Sequence, residues 1–463
     1  MATQAFETIE NTGDWAAEEF GAAVLGNKLR TQRLVWMADR AAETPDGRVA
    51  AVFPNSAERE GAYRLLENLN FSDRDAAEAA HESCARRCQG QSFVFVAVDG
   101  CTLSVTDTTG AKGFGKVGTR ATRARGIEVM NAMAVDHEGT PLGVCSQIWW
   151  TRRDTPVSEP SRNREFHEKE TRYWLHCMDA VNAAFDNVSS TTTRWYQLDA
   201  GADFAEMLCR AAQSEQLVTV RSAQDRIVEG ELGLLWGTVE SSPSLGTMEV
   251  PVPRGGKRQA RTAVLEVRSI PVTIRLPRGL GSATLNAVLT LEIGTTPPDE
   301  EPITWLLITN ADLDSFADAK QVVFGYTQRW RVEEFHKSWK SVCKVEKSQL
   351  DVLPFKLWAT VLASVAMRIE RLKYLARNQP EEPATIELCE NEIQAIVVLK
   401  DKKPRDYDPE KVPTIAQAVR WIAELGGYTG KQSGGPPGTI VIGRGLRDVE
   451  IAARVLVNIH DST

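Results

Sequence analysis

Residues 326–340 read YTQRWRVEEFHKSWK, and five polar residues recur in this stretch at intervals of three or four. At about 100° per residue they fall within roughly 80° of one helical face. They are Tyr326, Arg329, Glu333, Lys337 and Lys340. One carboxylate among cations suits a site where Glu333 binds a metal ion and the cations face the phosphates of a nucleic acid. A solvated helix face of mixed charge is the alternative, but the flanking Trp330, Phe335 and Trp339 are costly to expose there.

Two further acids each follow a predicted buried strand. Residues 93–98 (FVFVAV) are an apolar run of strand length closed by Asp99, and residues 195–198 are a second run closed by Asp199. Either acid alone is consistent with a turn or a helix N-cap, and for Asp199 alone that interpretation is favoured. The combination with Glu333 is more specific, because two divalent ions about 3.5 to 4 Å apart take carboxylates from several elements and share one of them.

The acids and the helical pattern together resemble the DDE transposases of bacterial cut-and-paste insertion sequences. The resemblance is to the group with a Y-x2-R-x3-E-x6-K signature, and within it to the transposon-five type; the signature here is Tyr326, Arg329, Glu333 and Lys340. It extends over nearly the whole chain, through the segments LGNKLRTQRL (25–34), EGAYR (60–64), VDGCTLS (98–104), LDAGAD (198–203), VRS (220–222), TLNAVL (284–289), TWLLIT (304–309) and LGGYTG (425–430). The chain departs from the family at Ala200, where an arginine is expected, and in its C-terminal third.

The resemblance implies that Asp99, Asp199 and Glu333 are a catalytic and metal-binding triad. The implied cofactor is Mg²⁺, two ions per site, with Mn²⁺ able to substitute. The implied reaction is cut-and-paste transposition, in which one site nicks the transposon end, makes and opens a hairpin, and joins the end to target DNA. The implied partners are double-stranded DNA, as terminal repeats and as target, and a second copy of the chain in a synaptic complex with two ends.

A set of polar and aromatic residues is expected to contact this DNA. Its members are Tyr326, Arg329, Lys337, Lys340, Trp305, Arg221, Arg30, Arg33 and Arg64. Arg30 and Arg33 recur with Arg40 at helical spacing, so these arginines lie along a DNA groove or on a solvated face. From periodicity Trp305 is a half-buried strand residue, whereas the resemblance implies that it stacks on a base flipped out beside the hairpin.

The composition is that of a globular protein with more than one core. The chain has 463 residues, of which 25% are charged and 42% hydrophobic. Its net charge of −8 argues mildly against nucleic acid, but local charge decides binding, and residues 111–125 and 254–261 hold basic residues and no acid. No signal peptide and no membrane-length apolar run are evident, so we expect a soluble cytoplasmic protein, bound to the nucleoid through DNA, without a membrane partner.

The pattern along the chain predicts a mixed α/β protein in three parts. Residues 1–75 are predicted to form an α-helical DNA-binding domain that recognises the transposon end, with Asp14 as a helix N-cap. Residues 76–379 are predicted to form a ribonuclease-H-like catalytic core with a β-rich insertion at about 222–310 and, after it, a long helical stretch interrupted near Pro354. Residues 380–463 are predicted to form a helical dimerisation domain. The core fold and the insertion follow from the resemblance.

Other interpretations of the same residues are open. A ribonuclease-H-like nuclease or resolvase would share the triad, and a non-catalytic DNA-binding regulator would share the terminal regions. A metal-dependent hydrolase of small phosphates fits the flanking cations and aromatic residues least well. Glu333 with His336 also forms an E-x2-H pair, a motif that di-iron bundles carry in two copies, but that interpretation is disfavoured. His81, Cys84 and Cys88 have helical spacing for a metal site, although a core face is favoured.

Overall fold

The computed structural model describes residues 15–118, 124–152, 163–231, 233–252, 260–400, 412–431 and 435–460. In these residues the α-helices are α1 (Trp15–Phe20), α2 (Lys28–Glu43), α3 (Val49–Val52), α4 (Ser56–Leu66), α5 (Asp73–Arg87), α6 (Arg172–Val188), α7 (Ala205–Gln213), α8 (Leu235–Glu240), α9 (Phe316–Gln328), α10 (Trp330–Ser341), α11 (Val352–Asn378), α12 (Glu390–Leu399), α13 (Ile415–Leu425) and α14 (Thr439–His460). Short 3-10 helices span Phe166–Glu168, Ala200–Ala202, Val345–Lys347 and Ala384–Ile386. The predicted N-cap at Asp14 lies outside the described residues.

The described strands form one mixed sheet. They are β1 (Phe93–Val105), β2 (Gly115–Lys116), β3 (Arg125–Val135), β4 (Pro141–Trp150), β5 (Thr193–Leu198), β6 (Leu217–Arg221), β7 (Ser244–Val252), β8 (Arg261–Arg275), β9 (Ser282–Ile293) and β10 (Thr304–Thr309). The core order is β4-β3-β1-β5-β6, in which β3 is antiparallel to β1 and to β4, while β5 is parallel to β1 and to β6. This is the predicted ribonuclease-H-like arrangement.

The β-rich segment extends the same sheet. Strand β10 pairs antiparallel with β6, and β9, β8 and β7 follow in antiparallel order. The residues between the second and third acids therefore continue the central sheet at its β6 edge. Alternation along β8 places Val272 and Ile274 in the core, because successive side chains of a strand point to opposite faces.

Helices cover both faces of the sheet. Along β1, Val94, Val96 and Val98 belong to a core that includes α6 and α7, whereas Phe95 and Ala97 belong to a core that includes α9, α10 and α11. A continuous apolar run is what a strand buried on both faces requires. By the two-residue period of the strand, Asp99 falls on the face that α10 covers.

The N-terminal helices α1 to α5 and the C-terminal helices α12 to α14 confirm the predicted helical ends of the chain. They also contact each other through α11, which packs against α2, α5, α13 and α14. Among the described residues, α11 is the one helix long and apolar enough to cross a membrane, and 78% of its most apolar window is buried within the protein. It is therefore a core helix here.

Two local predictions are corrected by the structure. Strand β1 does not end at Asp99 but continues to Val105. Residues 326–340 form two helices, since α9 ends at Gln328 and α10 begins at Trp330, with 3-10-type hydrogen bonds around Arg329. The predicted interruption near Pro354 is present at residues 342–351, between α10 and α11, and Pro354 itself lies in the first turn of α11, where a backbone N–H has no partner within the helix.

Candidate active site

The first predicted acid, Asp99, lies in the middle of the long strand β1. Its Oδ1 accepts a hydrogen bond from the Gly100 backbone N–H (2.8 Å), and 19% of its side chain is exposed. The preceding residues of β1 are buried on both faces, so the backbone at Asp99 is held by the core of the sheet. Asp99 thus presents a partly buried carboxylate toward α10.

The second acid, Asp199, directly follows β5, the parallel neighbour of β1. The two strands are in register at Ala97 and Gln197, so each acid lies two residues beyond the paired position. Asp199 Oδ1 accepts from the Gly201 backbone N–H (2.7 Å) and caps the 3-10 helix Ala200–Ala202. The capping role weighed from sequence is therefore real, and it leaves the second carboxylate oxygen of Asp199 free of that bond.

The third acid, Glu333, lies in the first turn of α10, and Arg329 connects it to Asp99. Arg329 Nη2 donates to Glu333 Oε1 (2.9 Å), and Arg329 Nη1 lies 4.0 Å from Asp99 Oδ2. Only 7% of the Arg329 side chain is exposed, so this charge is held inside the protein. The guanidinium partly neutralises two acids that come from different elements.

The electrostatics of Asp99 reflect all of these neighbours. Burial and the charge of Asp199 raise the pKa of Asp99 to about 7, Glu333 adds to the increase, and Arg329 opposes it. Negative charges in one partly buried place favour a cation between them. In this conformation no three His, Cys, Asp or Glu side chains of the described residues converge tightly enough to hold one ion, and Arg329 lies between two of the acids.

Tyr326 connects the same arginine to two other predicted residues. Its ring is buried, and burial raises the pKa of its hydroxyl, while the nearby Arg329 and Arg221, the latter at the end of β6, oppose that increase. The ring of Trp305 on β10 packs edge-on against Tyr326 at a centroid distance of 5.3 Å and is half-buried. The structure therefore brings Tyr326, Arg329, Arg221 and Trp305 together.

The two lysines of the signature stretch occupy different surroundings. Lys340 Nζ donates to the Thr102 carbonyl oxygen of β1 (2.6 Å) and lies 3.6 Å from Glu346 Oε1. Lys337 is exposed and lines a cavity of about 490 Å³ with Glu334, Ser341 and residues of the α13–α14 connection. Lys340 therefore lies against the strand that carries Asp99, whereas Lys337 lies on the side of α10 that faces α11 and the α13–α14 connection.

Comparison with known families covers both ends of the chain. The family model described as the transposase DNA-binding domain matches residues 12–71. The family model described as the transposase Tn5 dimerisation domain matches residues 364–458. The two matches indicate a Tn5-like transposase. The chain is a DNA transposase, its partner is DNA, and its C-terminal helices carry a dimerisation domain of that family.

Within the DNA-binding match, the predicted arginines differ in their surroundings. Arg30 Nη1 donates to the Leu25 carbonyl oxygen (2.9 Å), and Arg33 stacks over the Trp36 ring at 4.8 Å. Arg64 is exposed and pairs with Glu60. Arg40, which has the same helical spacing, is held by Glu43 (2.8 Å) and Glu58 (3.1 Å) and is mostly buried, so the regular arginine spacing does not describe one common surface of the transposase.

The two basic stretches are only partly described. Residues 119–123 and 253–259, which include Arg120, Arg123, Arg254, Lys257 and Arg258, lie outside the described residues. The described members have internal partners. Lys112 donates to the Thr106 carbonyl oxygen (3.2 Å), Arg125 donates to the Phe114 carbonyl oxygen (2.6 Å), and Arg261 pairs with Glu292 and Glu300.

Two residues near the site of the transposase were not predicted from its sequence. Glu346 contacts Lys340 and accepts from the Ser104 backbone N–H of β1 (2.8 Å). Asn131 of β3 is fully buried opposite Asp99 and lies 2.9 Å from His336. A signal for Asn131 was present, because it is the one amide in an otherwise apolar stretch, VMNAMAV.

The His81, Cys84 and Cys88 group belongs to the core of the transposase. All three side chains are buried, and Cys84 and Cys88 share a hydrophobic core with Cys145 of β4. Cys88 Sγ donates to the Cys84 carbonyl oxygen (3.2 Å), as expected of a buried thiol on a helix.

Proposed function

We propose that the transposase cuts and joins DNA by metal-dependent phosphoryl transfer, with Asp99, Asp199 and Glu333 as its catalytic residues. The observation that carries the proposal is that Arg329 lies between Asp99 of β1 and Glu333 of α10, while the charge of Asp199, at the end of the neighbouring β5, acts on Asp99. The raised pKa of Asp99 supports it, since a partly buried carboxylate beside other acids is stabilised by a bound cation.

The donor set fits a hard divalent cation. All three side chains supply carboxylate oxygens, which are the ligands that Mg²⁺ and Mn²⁺ prefer. Tn5-type transposases use divalent metal ions, and we propose two Mg²⁺ ions per site, held by Asp99, Asp199 and Glu333, with Mn²⁺ as a substitute. When bound, such ions lower the pKa of the attacking water or 3′-hydroxyl and stabilise the leaving oxygen.

The cationic residues around the acids then position DNA. Arg329, buried between Asp99 and Glu333, is placed to exchange these carboxylates for a phosphate, because guanidinium binds carboxylate and phosphate oxygens by the same paired donors. Tyr326 and Arg221 lie beside it and would bind the same strand. Lys340 and Lys337 extend the basic surface along α10.

The order of events follows the cut-and-paste scheme. A nick at the transposon end releases a 3′-hydroxyl, which attacks the opposite strand to form a hairpin; the hairpin is opened, and the end is joined to target DNA. Trp305 would stack on the base that the hairpin displaces, since its ring is only partly buried beside Tyr326. Two copies of the chain would hold two terminal repeats in one synaptic complex, acting on cytoplasmic DNA.

The domain boundaries belong to the same proposal. Residues 1–75 would recognise the terminal repeat, residues 76–379 would carry the chemistry, and residues 380–463 would join two copies. A ribonuclease-H-like nuclease or a non-catalytic regulator is the alternative. A nuclease would explain the acids but not the two matched terminal regions. A regulator would explain the terminal regions but not the acids.

The test is incubation of the purified protein with the DNA that flanks its own reading frame, with and without Mg²⁺. Cut ends and hairpins that require the metal are expected, and the Glu333→Gln variant is the matched control, because it keeps the size of the side chain and removes its charge. Binding without cutting, under either Mg²⁺ or Mn²⁺, would contradict the proposal and favour the regulator.

A further inference from the structure

A chain of four buried polar side chains joins the central sheet to the helices that cover it. Asn131 on β3, Gln147 on β4, His336 on α10 and Thr360 on α11 are each less than one tenth exposed. Thr360 Oγ1 donates to Gln147 Oε1 (2.9 Å), Gln147 Nε2 donates to Asn131 Oδ1 (2.9 Å), and Asn131 Nδ2 lies 2.9 Å from His336 Nε2. Four elements are thus connected by one unbroken series of hydrogen bonds.

The series fixes the orientation of each group in it. Because Gln147 donates its amide to Asn131 Oδ1, the Asn131 amide points at His336, and His336 Nε2 must accept. Burial, with a smaller effect of Lys340, lowers the pKa of His336 to about 3, so the ring is neutral and can accept this bond. The histidine of the E-x2-H pair on α10 therefore acts as a hydrogen-bond acceptor for Asn131, a role that does not involve a metal.

The Asn131–His336 bond lies directly beside the catalytic acids. Asn131 is the cross-strand partner of Asp99, and paired residues of an antiparallel ladder project from the same face of a sheet. His336 lies one helical turn beyond Glu333 on the same side of α10. Asp99 and Asn131, on neighbouring strands, thus face α10. Glu333 and His336 lie on the side of α10 that faces these strands.

Two other polar contacts connect α10 to β1, and both can be broken when metal ions or DNA bind. Arg329 connects Asp99 and Glu333, but cations that bind the acids compete with it. Lys340 connects α10 to β1, but it is partly exposed and is an expected DNA contact. The Asn131–His336 bond includes neither acid and neither of these cations, and it is buried.

We propose that Asn131 and His336 are positioning residues, whose hydrogen bond sets the separation between Asp99 on β1 and Glu333 on α10 and so preorganises the site for its metal ions. This inference rests on the proposed function of the acids. Partners that orient metal ligands from outside the first coordination sphere typically change metal affinity or activity by about 10 to 100-fold when they are replaced.

The test compares His336→Leu, which removes the acceptor, with His336→Gln, whose Oε1 can accept from Asn131 in place of Nε2. The measured quantity is the Mn²⁺ concentration that gives half-maximal cleavage of a pre-bound DNA end, together with Mn²⁺ binding followed by electron paramagnetic resonance. We expect His336→Leu and Asn131→Leu each to raise the half-maximal Mn²⁺ concentration about tenfold or more. His336→Gln should stay within about threefold of the wild type, and the double Leu variant should be no worse than either single variant.

A matched control separates positioning from loss of stability. Val181 is fully buried on α6, on the opposite face of the sheet, so Val181→Ala lowers the melting temperature without touching the site. If His336→Leu lowers the melting temperature as Val181→Ala does but leaves the Mn²⁺ dependence unchanged, the pair only packs and the inference is wrong. If the wild type itself cleaves without any divalent ion, the proposed metal-dependent function is wrong. That result is distinguishable from an unchanged Mn²⁺ dependence in His336→Leu, which contradicts only the positioning role.

Discussion

Asp99, Asp199 and Glu333 differ in how the transposase holds them. Asp199 uses one oxygen to cap a 3-10 helix, Glu333 accepts from Arg329, and Asp99 accepts from one backbone N–H in a partly buried position. Burial and like charge raise the pKa of Asp99, so this acid gains most from a bound cation. Because all three acids are proposed to hold the same metal ions, each should be necessary for cleavage although their surroundings differ.

The first prediction follows from that necessity. Replacing Asp99 or Asp199 by Asn, or Glu333 by Gln, should abolish cleavage in Mg²⁺ while leaving the affinity for end DNA within a few-fold of the wild type. The reason is that we assign end recognition to the DNA-binding region matched at residues 12–71, which contains none of the three acids. Gel-shift and cleavage assays on the same DNA measure both quantities, and cleavage retained by any one variant removes that residue from the triad.

A second prediction at this scale concerns Trp305. Trp305→Ala should leave the first nick close to the wild-type rate, while hairpin formation falls and nicked ends accumulate, because an aromatic face offsets about 1 to 3 kcal/mol of the cost of unstacking a base. Trp305→Phe keeps an aromatic face and is the matched control. Time courses on denaturing gels separate the two steps. If nicking and hairpin formation decline together, Trp305 acts through its packing against Tyr326.

Site residues could be predicted from the sequence where they belong to one local pattern. Glu333 and its cations share one helical stretch, and each aspartate follows an apolar run. Asn131 and His336 could not be assigned in this way, because their relation depends on the register that pairs Asn131 with Asp99 and on the packing of α10 over that strand. Such distant pairs have no local periodicity.

At the scale of elements, the predicted strands and helices exist but their ends differ. The sequence suggested that β1 stops at Asp99, since Gly100 favours a turn, yet pairing with β3 continues to Val105. Tertiary pairing here outweighs a local turn signal. The break at Arg329 has a comparable origin, because the buried guanidinium is drawn toward Asp99 and Glu333 where α9 ends and α10 begins.

Helix α5 provides a prediction about pH. Burial lowers the pKa of His81 to about 4, with a smaller opposing effect of Cys84, whereas an unfolded histidine titrates near 6.5. Above about pH 6.5 the ring is neutral in both states, and below it the unfolded chain binds a proton that the folded chain does not. Stability from this group is therefore lost as pH falls toward about 4.

The measurement is the free energy of unfolding from urea titrations of the wild type and of His81→Gln between pH 7 and pH 4.5. Other titrating groups, such as Asp99, are common to both proteins and cancel in the difference. The wild type should lose up to about 1.4 kcal/mol per pH unit relative to the variant below about pH 6.5. A difference that does not change with pH would mean that His81 titrates normally in the folded protein.

At the scale of the whole molecule, helical regions at both ends of the chain meet on the long core helix α11. Arg368 of α11 forms buried ion pairs with Glu392 of α12 and Glu450 of α14, and its guanidinium stacks over Trp15 of α1 at 5.2 Å. The order of the three regions could be predicted from shifts in pattern and from the resemblance. That β7 to β10 continue the central sheet could not, because the β6–β10 pairing joins residues far apart in sequence.

The overall charge gives a prediction for DNA binding. Although the chain carries a net charge of −8, its contacts with DNA should be local and cationic, so affinity for end DNA should fall steeply with salt. A plot of the logarithm of the association constant against the logarithm of salt concentration should be linear, with a slope near −0.9 per phosphate contact. Arg30→Ala or Arg33→Ala should reduce that slope, and binding that does not depend on salt would contradict the electrostatic assignment.

The most direct measurement of the central claim is strand transfer. The purified protein, Mg²⁺, a donor DNA that carries both of its terminal sequences and a target plasmid are incubated together, and the joined products are sequenced. We predict that both ends of one excised donor are joined to a single target, and that Glu333→Gln gives no such product. Cut ends that never join would identify a nuclease, and bound DNA that is never cut would identify a regulator; either result would contradict the account.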